Sequence, residues 1–184
     1  MLQWFRRRAE RSRRAGELYG GVVTAARQPF FYKDMGVPDT PEGRFELVAL
    51  HLFLALEALK QRGPQQLEVT RQTIEAFVSD MDDCMREMGV GDFTVPKKVK
   101  RAAAAFYERA GAYRRGLSEA QKSVLEKSLS TYVFAGRQED GNGLSALAGY
   151  VRNAASALAA EQFDVLCANG NLVKLLATSR AEGS

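Results

Sequence analysis

The chain has 184 residues, with 26 Lys and Arg against 22 Asp and Glu, one His, 46% hydrophobic residues and a net charge of +4. These values fit one globular domain with a buried core and exclude a disordered chain and a multi-span membrane protein. Cys84 and Cys167 lie far apart with no metal-ligand spacing, and His51 is the single imidazole, so a disulfide scaffold, a zinc finger and most transition-metal sites are excluded and no cofactor is expected.

The charge is unevenly placed. Residues 1–14 hold Arg6, Arg7, Arg8, Arg11, Arg13 and Arg14 against Glu10, a net of +5, so the remainder sums to −1. In this basic arm the apolar group Leu2, Trp4 and Phe5 precedes the arginines and no long apolar stretch follows, which is the wrong order for a secretory signal. Trp4 and Phe5 beside Arg6, Arg7 and Arg8 instead suit a peripheral contact with an anionic membrane: rings settle at headgroup level and each cation contributes about 1 kcal/mol near the surface.

After the arm, Gly16 to Arg27 is read as a first helix ending before Pro29. The segment Pro29 to Thr40 is read as a loop carrying Phe30, Phe31 and Tyr32. Thr40 followed by Pro41 is an N-cap with proline in the first turn. It opens a helix apolar around most of its circumference, which marks a central, buried element. Phe45 to Leu59 is too short and contains Glu46, His51 and Glu57, so it is not a membrane span. The apolar surroundings of His51 suggest a hydrogen-bonded core histidine rather than a catalyst. Beyond Gly63-Pro64, Ile74, Phe77, Val78 and Met81 mark one amphipathic helix; Val99, Phe106, Ala110 and Tyr113 mark the next. Ser118 and Gln121 form the sequence pattern of a capping box for a third. An Ala-rich helix follows residues 140–143, then a short one around Phe163 to Ala168. The expected fold is all-α: a single-domain bundle of about six to seven helices around one central apolar helix, spanning residues 15–178, with a tail at 179–184.

Two stretches carry candidate chemistry. In the first, Asp80, Asp82, Asp83 and Glu87 occupy the C-terminal half of one helix and Lys97, Lys98, Lys100 and Arg101 open the next, each set on the wrong end of its helix dipole. A turn through Gly89 to Asp92 would bring them together to offset one another. The same acids superficially match an acidic motif of prenyl or diphosphate enzymes. However, Asp80 and Asp82 lie about 200° apart on a helix and no second acidic motif faces them. No nucleic-acid-binding motif and no glycine-rich phosphate loop is present, so sequence-specific nucleic-acid reading is not expected. The second stretch is the aromatic segment with its following turn, where Phe31 and Tyr32 are candidates to meet a partner and Asp39 could pair with Arg44 across the N-cap.

Three motifs, GVPDTPEGRFEL (Gly36 to Leu47), DMD with REMGVGD (Asp80 to Asp92) and the FYxR of Phe106, Tyr107 and Arg109, together resemble the ubiquinol–cytochrome c chaperone family over roughly residues 17–135. Pro96 departs from that pattern, where a small non-proline residue is expected. The resemblance implies a non-enzymatic chaperone that binds newly made cytochrome b before haem loading and assembly of the bc1 complex are complete. The ribosome is a further partner among mitochondrial relatives, for which this chain offers only its short basic arm. The expected contact surface is Phe31, Tyr32, Asp39, Arg44, Asp80, Asp82, Lys98 and Lys100. The expected location is a bacterial cytoplasm, peripheral to the inner membrane, or the matrix side of a mitochondrion. The rival readings are a membrane- or RNA-associated helical adaptor and the acid-cluster enzyme.

Overall fold

Among the described residues, the computed structural model shows nine α-helices in chain order: α1 (Leu2–Ala26), α2 (Phe30–Lys33), α3 (Pro41–Lys60), α4 (Leu67–Glu87), α5 (Val95–Ser118), α6 (Lys122–Tyr132), α7 (Asn142–Ala160), α8 (Phe163–Cys167) and α9 (Asn171–Ala181). The residues described are 2–87, 95–119, 121–137, 142–167 and 170–181, with backbone alone at 2–5, 7, 8 and a few other positions. There is no strand among them. Seven helices have eleven residues or more and two are short, so the expected all-α bundle is what forms.

The central helix is α3. Thr40 caps it as its sequence predicts, with Oγ1 accepting from the Gly43 N–H at 3.1 Å and Pro41 in the first turn. Leu47, Leu50, Leu52, Phe53, Leu54 and Leu59 are at most 2% exposed, because α1, α4, α5 and α7 pack around it. His51 is part of this core. Its Nδ1 lies 2.7 Å from the Leu47 carbonyl and its Nε2 2.8 Å from the Tyr150 hydroxyl. A carbonyl only accepts, so Nδ1 carries the proton and Nε2 accepts from Tyr150.

Pairwise contacts fix the helix directions. Arg109 and Arg114 of α5 bond Glu46 and Glu57 of α3 in the same order, so these two helices run the same way. The short turn at Pro64–Gln66 returns the chain into α4, whose Phe77 lies beside Phe45 near the start of α3, so α4 runs against α3. Arg11 lies near Glu68 and Tyr19 bonds Asp80, so α1 runs with α4. His51 bonds Tyr150 near the start of their overlap and Arg62 reaches the Leu158 and Glu161 carbonyls at its end, so α3 and α7 run the same way. Arg62 also bonds the Ala58 carbonyl and thereby caps both helices. The C-terminal ends of α3, α5 and α7 therefore gather at the same end of the bundle as the N-terminal ends of α1 and α4.

Three expectations need correction. The first helix is α1, which begins at Leu2 and runs unbroken through the basic arm; the string of arginines forms helix as readily as the residues after it. Its first twelve residues, about 18 Å of helix, contribute no buried residue among the side chains described, and burial starts at Ala15. The segment after Pro29 is not all loop but contains the single turn α2. The capping box does not form: α5 continues through Ser118, whose Oγ donates to the Arg115 carbonyl, and Gln121 caps α6 without a side-chain bond.

Candidate partner-binding surfaces

The two best-marked motifs are joined by one buried ion pair. Glu46, of the GRFEL turn, is 7% exposed and accepts two bonds from Arg109 of the FYxR segment, at 2.6 and 2.7 Å. The Arg109 guanidinium also lies 4.9 Å from the centre of the Tyr132 ring. Its hydrogen bond to Glu46 raises its pKa, so the charge is permanent. This bidentate geometry fixes α3, α5 and α6 to one another. Neither residue was singled out for a pairing by sequence reasoning; Glu46 stands out only as a carboxylate inside an apolar helix.

The aromatic segment divides. Phe31 is fully buried, packed edge-on against His51 and Tyr150 at ring distances of 5.2 and 5.0 Å. It is a core residue and leaves the expected contact surface, because the turn of α2 points it inward. Tyr32 is half-buried, its hydroxyl donating to the Ala26 carbonyl at 3.4 Å. Asp39 and Arg44 pair across the N-cap as anticipated, at 2.7 Å, and the arginine holds the Asp39 carboxyl below its ordinary range. Tyr32, Asp39 and Arg44 sit close enough to influence one another's charge.

The acidic and basic sets do not pair with each other among the described residues. Asp80 accepts instead from the Tyr19 hydroxyl of α1 at 2.7 Å, and Asp82 from Arg86 on its own helix at 2.8 Å. Burial and the Asp80 carboxylate both push the Tyr19 hydroxyl well above its usual range. The packing of α1 alongside α4 supplies this partner, and nothing in the α4–α5 sequence signals it. Lys97, Lys98, Lys100 and Arg101 are exposed and have no ion pair among the described residues. The turn through Gly89 to Asp92 lies outside the described residues. No group of three His, Cys, Asp or Glu able to hold a metal occurs among those described.

Tyr32, Asp39, Arg44, Asp80, Asp82, Lys98 and Lys100 share one end of the bundle, near the C-terminal end of α1. At the opposite end stand the first turns of α1. Arg6 is exposed; the side chains of Trp4, Phe5, Arg7 and Arg8 lie outside the described ones. The helix is anchored below them by Arg14, which bonds Asp164 at 2.6 Å and lies over the Phe163 ring. Leu67, 66% exposed, stands at this end, and none of the described helices is long and apolar enough to cross a membrane. Cys84 is exposed and Cys167 buried, and no disulfide joins them.

Comparison with known proteins adds three findings. A family model described as ubiquinol-cytochrome C chaperone matches residues 33–170. The crystal structure of the Cbp3 homolog from Brucella abortus matches with a TM-score of 0.80 at 34% identity, covering 92% of this chain and 93% of that one. Ubiquinol-cytochrome-c reductase complex assembly factor 1 of Xenopus laevis is 23% identical over 122 residues, 66% of this chain; the match spans 60% of that relative's length.

Proposed function

Because the chain belongs to the ubiquinol-cytochrome C chaperone family, we propose that it is an assembly chaperone of the bc1 complex that holds newly made cytochrome b. The family is one of chaperones and assembly factors, and the protein is not an enzyme. The observation that carries the reading is the match of fold and sequence to the Cbp3 homolog along nearly the whole of both chains. The polar end supports it physically. Tyr32, the Asp39–Arg44 pair, Asp80, Asp82, Lys98 and Lys100 offer both charge signs on an end of the bundle where polar loops of a client can be held without any reaction. The basic first turns of α1 suit peripheral attachment to the anionic membrane in which that client resides.

Deleting the gene tests the proposal. The expected result is loss of assembled bc1 complex, with cytochrome b reduced and haem incorporation impaired. Normal bc1 content with normal cytochrome b would refute it.

A further inference from the structure

A groove of about 520 Å³ opens between the C-terminal halves of α3, α5 and α7. Its floor is apolar, formed by Phe53, Leu54 and Ala58 of the central helix with Leu117 of α5. Phe53, Leu54 and Ala58 are at most 3% exposed, so the apolar surface that the groove itself offers comes mainly from half-buried Leu117 and Ala155 and exposed Ala159.

The two walls differ in charge state. On the α5 side Arg114 is committed: it binds both carboxylate oxygens of Glu57. On the α7 side Arg152 is half-buried and gives one N–H to the Lys122 carbonyl at 2.9 Å. Among the described residues no carboxylate pairs with it. An arginine at the rim of an apolar groove, with N–H donors that no described residue takes up, can receive a carboxylate in bidentate fashion. The wall beyond Arg152 continues as Ala155, Ser156 and Ala159, one, one and two turns on along the same face of α7. These short side chains let another backbone approach closely.

We infer that this groove binds an apolar helical segment of the membrane-protein client, about two turns long, carrying one carboxylate that pairs with Arg152. The length follows from the stretch of α3 between Phe53 and Gln61 that lines the groove, about 12 Å at helical rise. The groove opens at the same end of the bundle as the first turns of α1, the end at which the proposed membrane attachment lies. The inference rests on the chaperone reading for the identity of the client, though not for the existence of the site.

The test uses the full chain and a fluorescent Leu/Ala-rich helical peptide bearing a single Glu, with the Glu→Gln peptide as its pair. Three variants are compared by anisotropy and thermal melting: Arg152→Glu, Ala159→Trp, which fills the groove from an exposed wall, and Ser79→Trp, on an exposed position of α4 outside it. The expected result is saturable binding to the Glu peptide. It should weaken about tenfold with Arg152→Glu, with Ala159→Trp and with the Gln peptide, and stay unchanged with Ser79→Trp, at unchanged melting temperature. Absence of binding, or binding that none of the groove changes alters, overturns the inference. So does binding of anionic vesicles through Arg152 with none of the peptide. If the groove variants lose the peptide yet support normal bc1 assembly, the site stands and the chaperone reading of it falls. If gene deletion blocks assembly while the variants bind the peptide normally, the chaperone reading stands and the groove falls.

Discussion

Arg109 illustrates how one side chain can matter more than its motif suggests. Its guanidinium and the Glu46 carboxylate are mostly removed from water, so each depends on the other to offset its desolvation. Truncation to Ala leaves a buried carboxylate uncompensated. Arg109→Ala should therefore destabilise the fold by about 3–5 kcal/mol, and the double variant Arg109→Met with Glu46→Leu should recover most of that loss. Urea denaturation of the single and double variants checks this; equal losses in both would show that the pairing is not what holds α5 on α3. His51 gives a pH-dependent counterpart. Burial lowers its pKa to about 4 from an ordinary 6.5, so the native state keeps it neutral while the unfolded chain protonates it. Between those values the unfolded state binds the extra proton. Stability from this group is therefore complete above pH 6.5 and declines as pH falls toward 4, by up to about 1.4 kcal/mol per pH unit. In His51→Leu that part of the slope should vanish, although the variant is less stable throughout because the Tyr150 hydroxyl loses its acceptor.

At the scale of elements, the turn into α3 is set by close approach as well as by its cap. A Cβ on Gly43 would stand 2.0 Å from the Pro38 carbonyl oxygen, a backbone atom that cannot swing aside. Gly43→Ala should cost about 1–3 kcal/mol, measured as a lower urea midpoint with unchanged m-value, whereas Gly16→Ala in open space should not destabilise. Much at this level is legible in the sequence. The N-cap Thr40, the all-round apolar α3, the structural His51 and the Asp39–Arg44 pair all follow from local rules, because each depends on residues within one element and its flank. What escapes such rules depends on which helices become neighbours. Phe31 turns inward because Tyr150, far along the chain, closes over it. Asp80 answers to Tyr19 of α1 rather than to the bases that follow it. Ser118 and Gln121 match a capping pattern, but α5 gains more by continuing to Ser118, where Gly116 lets the α6 backbone at Leu125 come close. The groove beside Arg152 is equally invisible until α3, α5 and α7 are placed side by side.

The whole molecule has two unlike ends about 30 Å apart, the length of α3. One end carries the mixed-charge surface. The other gathers the basic turns of α1, exposed Leu67 and the apolar groove. Their roles separate experimentally. Removing residues 2–9 deletes Trp4, Phe5, Arg6, Arg7 and Arg8 but leaves the Arg14–Asp164 anchor and every described core residue in place. The truncated protein should melt as the full chain does, yet lose about 1 kcal/mol of affinity for anionic vesicles per arginine removed, with the remaining binding weaker in salt. Flotation of both proteins over a salt series measures this, and equal flotation would remove the arm from any membrane role.

We propose that the bundle holds cytochrome b while the bc1 complex is built. Photo-crosslinking of the tagged full-length protein in growing cells, followed by purification from membranes and identification of the attached polypeptides, addresses it directly. Newly made cytochrome b should be recovered in crosslinked form, before mature bc1 subunits join it. Recovery of other membrane proteins in equal yield, with no enrichment of cytochrome b, would contradict it.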